Sequence, residues 1–354
     1  MSKNQYVSRI QSELNKPYEV YSLLFIEYIG YLNMIIAENP NNTTAVNQLA
    51  IALLEARNYD SAFQTLKNDV YRNPTIQSLN NLAYFYLYEE GNTEKAIEAL
   101  MTVVHMDPIS PVPYNILGEA YIRSDKPNDA LLPLSKAVEI EGRAEYLNNY
   151  AVALFMTGNV PKASDFFLKA SKNWFTDYDS HRPYYHFGVC QGLLGNYTKA
   201  LEVAANLIKL DFENIGVHEI ADIYYLCGEY ECVVKMYKST NLWYSLDWVS
   251  IYLYSLYKLA QAEEMEIVLS KAITQCTEMI NDLVPDDFKN PEELIERKSE
   301  INIEINNYKK IYLDITQNNF TPQFNFVPST LFACGLLGCI RHNIPNYLNS
   351  LDDI

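Results

Sequence analysis

The chain of 354 residues reads as an all-α, right-handed superhelical solenoid of antiparallel helix pairs, closed at both ends by helical caps. Three observations predict it. Small residues recur at a nearly constant interval: Ala62, Ala96, Ala130, Ala163 and Ala200 are separated by 34, 34, 33 and 37 residues. A second small-residue series, Ala50, Ala83, Gly118, Ala151, Gly188 and Ala221, runs ahead of the first. Apolar residues between them follow helical spacing. A period of this length marks supersecondary units that cannot bury their apolar faces alone and stack to share one core.

The unit is helix A, a tight turn, helix B and a short link. In Gln77 to Asp107, Leu82, Ala83 and Tyr86 share a face of helix A, and Ala96, Leu100 and Val103 share a face of helix B. Gly91-Asn92 supplies the turn. Asp107-Pro108 ends the unit, because proline cannot continue the helical ladder and restricts the residue before it. The two small series stand where helices cross. A larger side chain there would cost roughly 1–3 kcal/mol in overpacking.

These residues resemble the tetratricopeptide repeat family. The matches are Leu117-Gly118-x2-Tyr121 with Ala130-x3-Leu134-x2-Ala137, and Tyr150-Ala151-x2-Leu154 with Ala163-x3-Phe167-x2-Ala170. Leu49-Ala50-x2-Leu53 with Ala62-x3-Leu66 and Pro74 makes a third. Phe187-Gly188 with Ala200-x3-Ala204 continues the series. Ile220-Ala221-x2-Tyr224 follows, with Val233 in place of the small helix B residue. The resemblance implies about six repeats over residues 43–240. Residues 1–42 are expected to form an N-terminal cap, with one apolar helix over 17–38. Residues 241–284 read as a divergent helix pair. Residues 285–354 read as a long helix from Pro291 to about Asn319 followed by an aromatic-rich tail.

That tail, broken by Pro322, Pro328 and Pro345, carries Phe320, Phe324, Phe326 and Phe332, which are costly to expose together. Three readings stay open: it seals the end of the stack, it folds over the groove or docks on another subunit, or FACGLLGCI touches a membrane.

In this family helix A lines the inner surface, which implies a partner site there. The candidate residues are Asn47, Asn80, Asn81, Tyr84, Asn115, Glu119, Arg123, Asn148, Asn149, Tyr185, His218 and Asp222. Asn47, Asn80, Asn115 and Asn148 occupy an equivalent position in four successive repeats, and Asn81 and Asn149 add a second amide beside two of them. A carboxamide both donates and accepts, so it can hold an extended backbone without specifying a side chain. Mid-helix asparagine is also mildly unfavourable, so its repetition needs a cause. The array looks like the asparagine ladders of some peptide-binding members, whose register lies nearer Asn81 and Asn149. Partner contact, bonding between repeats and solvent exposure are the three accounts. The lysines of members that clamp a terminal carboxylate are absent: Asn47, Ile51, Gln77, Asn81, Val112 and Ile116 stand at the comparable positions.

The formal charge is −17, from 44 acidic and 27 basic residues. It opposes general affinity for nucleic acid, which needs concentrated basic surface, and favours a protein or extended peptide of basic or polar character. The N-terminus lacks the apolar core of a signal peptide, and no run approaches the roughly 20 apolar residues that span a bilayer. A cytoplasmic protein without stable membrane insertion is the expectation. Aromatic patches also permit self-association.

Catalysis, cofactors and metals are not expected. His181-x4-His186, His105 and His218 have no visible third ligand. Neither Cys227-x4-Cys232 nor Cys334-x4-Cys339 has the two-residue gap of common zinc or redox motifs, so core or interface thiols are expected. Gly188 and Gly195 suit helix crossing and a turn, not a phosphate cradle. Glu263, Glu264 and Glu266 read as a solvated cluster. Three functional classes follow: a non-catalytic scaffold that binds peptides or proteins on a concave surface; a regulator, immunity protein or secretion chaperone embracing one folded partner; and a recruitment subunit of an enzyme.

Overall fold

A computed structural model of the chain describes residues 2–14, 18–172, 181–209, 216–238, 245–342 and 344, with the side chains of 18–21 and 286 left aside; Pro345 lies outside them. The described residues form helices joined by turns, and no strand occurs among them. The chain divides into two compact units, one of residues 1–173 and 329–354, the other of residues 174–328.

The first unit contains α1 (Lys3–Glu13), α2 (Tyr18–Glu38), α3 (Thr43–Glu55), α4 (Tyr59–Arg72), α5 (Ile76–Tyr84), α6 (Thr93–His105), α7 (Val112–Arg123), α8 (Pro127–Ile140), α9 (Ala144–Met156) and α10 (Val160–Lys172). Each helix packs on the next, and α3 also meets α5 and α7 meets α9. The second unit contains α11 (Arg182–Leu193), α12 (Tyr197–Lys209), α13 (Val217–Leu226), α14 (Tyr230–Lys238), α15 (Leu246–Lys258), α16 (Ala262–Asn281) and α17 (Pro291–Asn318). Here α11 and α13 also pack together, and α17 lies against both α15 and α16.

The small-residue series marks the helix crossings. Ala50, Ala62, Ala83, Ala96, Ala130, Ala151, Ala163, Ala200 and Ala221 are all fully buried. A β-carbon at Gly118 would overlap the Leu134 side chain, and one at Gly188 would stand 2.7 Å from both Val203 and Ile223. Four residues beyond Ala62, Ala96, Ala130 and Ala163, the side chains of Leu66, Leu100, Leu134 and Phe167 are fully buried. Val233, the departure from the small series, is also fully buried.

Helix starts follow from capping. The side chains of Asn58, Asn92 and Asn159 accept from the backbone N–H three residues ahead at 3.4, 3.1 and 3.3 Å. Each satisfies a donor that the first helical turn leaves open. The A-to-B turn uses a left-handed residue in seven pairs: Arg57, Gly91, Asp125, Gly158, Gly195, Gly228 and Ala260. Four are glycine, the residue that reaches this region at least steric cost.

One repeat departs from regular helix. The two small positions within a pair are 12 residues apart in the other repeats, but Ala83 and Ala96 are 13 apart. The extra residue is absorbed in a π-helical turn over Phe85–Glu89, continuing α5. Such a turn takes in one residue without breaking the helix.

Gly158 has a positive φ of 83°, and a β-carbon there would meet nothing within 4 Å, so the position separates backbone strain from packing. Gly158→Ala should cost about 1–2 kcal/mol, read as a lowered urea midpoint with an unchanged denaturant slope.

Candidate functional site: an asparagine-lined face and its occupant

Helices α3, α5, α7 and α9 carry Asn47, Asn81, Asn115 and Asn149, each 34 residues from the last. Asn80 and Asn148 stand beside the second and fourth. All six are buried. Four of them, Asn80, Asn81, Asn148 and Asn149, bond to the tail, which returns along this face in the opposite direction to the repeats.

Asn149 holds Leu331 by both main-chain groups: the Leu331 N–H donates to its Oδ1 at 2.7 Å, and its Nδ2 donates to the Leu331 carbonyl at 3.1 Å. Asn81 holds Leu337 in the same way, at 2.8 and 3.1 Å. Their neighbours repeat the pattern. Asn148 Nδ2 donates to the Ser329 carbonyl at 3.0 Å, and Asn80 Nδ2 to the Gly335 carbonyl at 2.8 Å.

Other amide valences are spent within the repeats, while Asn80 Oδ1 is buried without a hydrogen-bond partner among the described residues. Asn81 Nδ2 also donates to Asn47 Oδ1 at 3.4 Å, and Asn149 Nδ2 to Asn115 Oδ1 at 3.2 Å. Asn80 and Asn148 donate to the Oδ1 of Asn81 and Asn149 at 3.2 and 3.3 Å. Asn81 and Asn149 therefore give two hydrogen bonds and receive two, the full capacity of a carboxamide. Asn47 is fixed from behind, donating to Asp69 Oδ2 at 3.0 Å and to the Thr43 carbonyl at 2.9 Å. Burial, opposed by the Asn47 hydrogen bond, raises the Asp69 carboxyl to about 6.

Apolar contacts complete the seat. Leu331, Ala333, Leu336, Leu337, Ile340 and Ile344 are buried. Gly335 lies so close to α5 and α7 that a β-carbon would stand 2.5 Å from Ile116 and 3.0 Å from Tyr84. Tyr84 meets Tyr88 at 4.7 Å between ring centroids. The Tyr88 hydroxyl donates to Glu119 at 2.7 Å, and Glu119 pairs with Arg123 at 2.9 Å while the guanidinium covers the Tyr88 ring. Burial first, then the Glu119 charge, pushes the Tyr88 phenol well above its ordinary range.

Tyr185, His218 and Asp222 belong to the second unit. The Tyr185 hydroxyl donates to Asp222 at 2.8 Å, and His218 stacks on Trp248 at 4.3 Å. Phe326, on chain outside any helix, meets Tyr185 and His186 edge-on and stacks on Phe324. The Tyr225 hydroxyl donates to the Pro322 carbonyl at 2.9 Å. Burial raises the Asp222 carboxyl to about 7, the Tyr185 hydrogen bond opposes this, and Glu219 and Asp247 add to it.

Sequence reasoning passed over two further clamps. Gln77 Nε2 donates to the Leu337 carbonyl at 3.1 Å, and Gln48 Nε2 to the Gly338 carbonyl at 2.8 Å. Gln77 lies one helical turn before Asn81, and that spacing was the available signal. Cys334 and Cys339, read as core or interface thiols, are buried, and His342 joins them. No short spacing announced that trio.

A family description, Tetratricopeptide repeat, matches residues 76–110, which span α5 and α6. A comparison with curated protein sequences gives no match. Among solved structures, YrrB, described as a TPR protein with an unusual peptide-binding site, is 17% identical with a TM-score of 0.44, over 56% of this chain and 97% of its own. Pseudomonas aeruginosa pilF is 20% identical with a TM-score of 0.46, over 64% and 97%. The TPR2AB domain of yeast Sti1 in its pHSP90 complex is 19% identical with a TM-score of 0.31, over 63% and 99%.

Removing the Asn81 carboxamide strips the Leu337 N–H of its acceptor inside a buried seat, a loss of about 1–3 kcal/mol. Asn81→Ala should therefore speed alkylation of the buried Cys339 by roughly tenfold or more at unchanged helicity, since about 1.4 kcal/mol is a factor of ten. Asp222 is protonated in the folded state up to about pH 7 but ionises near 3.8 in the unfolded chain. Its contribution to stability is full below the lower value and declines as pH rises through the higher one. Asp222→Asn should flatten the fall in urea midpoint between pH 4 and 8.

Proposed function

Taking as premise that the chain is a tetratricopeptide-repeat protein, we propose that the inner face of its first unit binds one extended polypeptide segment through that segment's main chain. It is a protein-interaction module without covalent chemistry. The observation that carries this reading is the pair of two-point amide clamps, Asn81 on Leu337 and Asn149 on Leu331. A clamp on N–H and C=O alone recognises extended backbone and leaves side-chain choice to the surrounding pockets. Tyr84, Glu119 and Arg123 form one side-chain boundary of that face.

The tail is the occupant in this chain, so a partner segment binds by taking its place. That observation favours a regulator over a permanently open scaffold. A tethered segment competes at an effective concentration on the order of millimolar. A partner must exceed the tail's own affinity, or something must loosen the tail first. The acidic balance of the chain, −17, suits a neutral or basic partner.

The test uses a labelled peptide of residues 328–341 with serine at both cysteine positions. Added to a chain whose tail is loosened by Leu337→Asp, it should bind saturably, and at least tenfold more weakly to the unaltered chain. Adding Asn149→Ala to the loosened chain should weaken binding roughly 10- to 100-fold, the range for losing a buried two-point contact. A folded, loosened chain that ignores the peptide sinks the proposal.

A further inference from the structure

Besides its backbone clamps, the seated tail brings together three side chains with metal-ligating atoms. One ligand atom each from Cys334, Cys339 and His342 lies within 4.8 Å of the other two. Cys339 Sγ and His342 Nδ1 are 3.4 Å apart. We propose that Cys334, Cys339 and His342 form a zinc(II) site with two thiolates, one imidazole and one exchangeable position.

The distances fit the ion. Zinc bonds thiolate at about 2.3 Å and imidazole at about 2.0–2.1 Å in tetrahedral geometry, so ligand atoms around it sit about 3.5–3.8 Å apart. The Cys339–His342 edge already has that length. The remaining edges need to close by about 1.3 Å at most, within reach of a side-chain rotation. Two thiolates and a neutral imidazole also balance the charge of a divalent ion, which suits a site whose sulfurs are buried. Soft sulfur donors select zinc over magnesium or calcium, which prefer oxygen.

The backbone between the two cysteines is fixed, so the ligands do not have to be gathered from a loose chain. Asn81 and Gln77 hold Leu337, Gln48 holds Gly338, and Gly338 turns the chain at a positive φ of 85°. The Cys339 N–H closes the turn onto the Leu336 carbonyl at 3.2 Å, and the Ile344 N–H returns to the Cys339 carbonyl at 2.9 Å. That return places His342 beside the sulfurs. Cys334 and Cys339 are 7% and 1% exposed while His342 is exposed, so the ion has a protected sulfur side and a route in. A cavity of about 500 Å³ borders all three residues. Glu55 and Glu89 line it too but do not join the three converging ligand atoms, so the fourth position falls to water. Glu55 meanwhile pairs with Arg341 at 3.6 Å.

Binding converts two thiols to thiolates and releases their protons, so affinity rises with pH. The site needs the tail in its seat; it does not depend on displacement by a partner, and it goes beyond that reading.

The test is cobalt(II) titration of the full-length, reduced, chelator-stripped chain, followed by zinc. One equivalent should produce a thiolate-to-cobalt charge-transfer band with tetrahedral visible absorption, and zinc should abolish both. Cys334→Ser with Cys339→Ser should eliminate the band. His342→Ala, at an exposed position that leaves folding intact, should weaken binding at least tenfold. Cys227→Ser with Cys232→Ser should leave it unchanged. The proposal is overturned if one equivalent gives no thiolate band, if the band survives loss of Cys334 and Cys339, or if His342→Ala binds cobalt like the parent. Reduced protein that takes up no cobalt yet joins Cys334 to Cys339 on mild oxidation would assign the pair to a disulfide instead, and also overturns it.

Discussion

A buried primary amide has four hydrogen-bonding valences, and leaving any of them empty costs about as much as a folded protein gains from a good hydrogen bond. Six such amides sit on one face of the first unit. The repeats satisfy some of their valences, through Asn47 to Asn81 and Asn115 to Asn149. Others, on Asn80, Asn81, Asn148 and Asn149, face away from the helices and take a segment with alternating donors and acceptors. Peptide backbone is such a segment. The seating of the tail, the burial of its leucines and the convergence of Cys334, Cys339 and His342 all depend on this requirement.

Much of this was legible along the chain. The small-residue series located the crossings because close helix approach favours alanine or glycine there, with the fully buried Val233 as the exception. The 13-residue interval from Ala83 to Ala96 already contained the π-helical turn, since an added residue must be absorbed somewhere between two fixed contacts. The asparagine positions were legible too, and so was the reason to suspect backbone as their ligand. Bonding between repeats, one of the accounts considered for them, is present, and the same Nδ2 of Asn81 that serves Asn47 also serves Leu337 of the chain's own tail.

The identity of the occupant was less legible. Asn81 and Leu337 are 256 residues apart, and nothing local to either marks the other. A main-chain clamp leaves no signature in the clamped segment beyond tolerance of extended backbone. Gly335 is the partial exception, because its missing β-carbon admits Ile116 and Tyr84. The cysteine–histidine trio escaped for a related reason. Its ligands converge through a turn held by residues from two distant helices, so the spacing C-x4-C-x2-H resembles no short-loop motif. In the second unit, Tyr185, His218 and Asp222 were singled out by family register; Tyr185 meets Phe326, His218 stacks on Trp248, and Tyr185 bonds to Asp222.

The spacing of the clamps has a consequence of its own. Asn148 and Asn80 hold carbonyls of residues 329 and 335, and Asn149 and Asn81 hold residues 331 and 337. Two repeats thus correspond to six residues of extended chain, about three per repeat, or near 10 Å at the rise of a strand. Six is even, so both anchored leucines present the same side of the pleat. A segment longer or shorter by one residue between those points would reach the second anchor with its opposite side inward. The protein therefore measures a segment as a ruler does, by the count between two marks, and an inserted residue is a graver mismatch than a changed one.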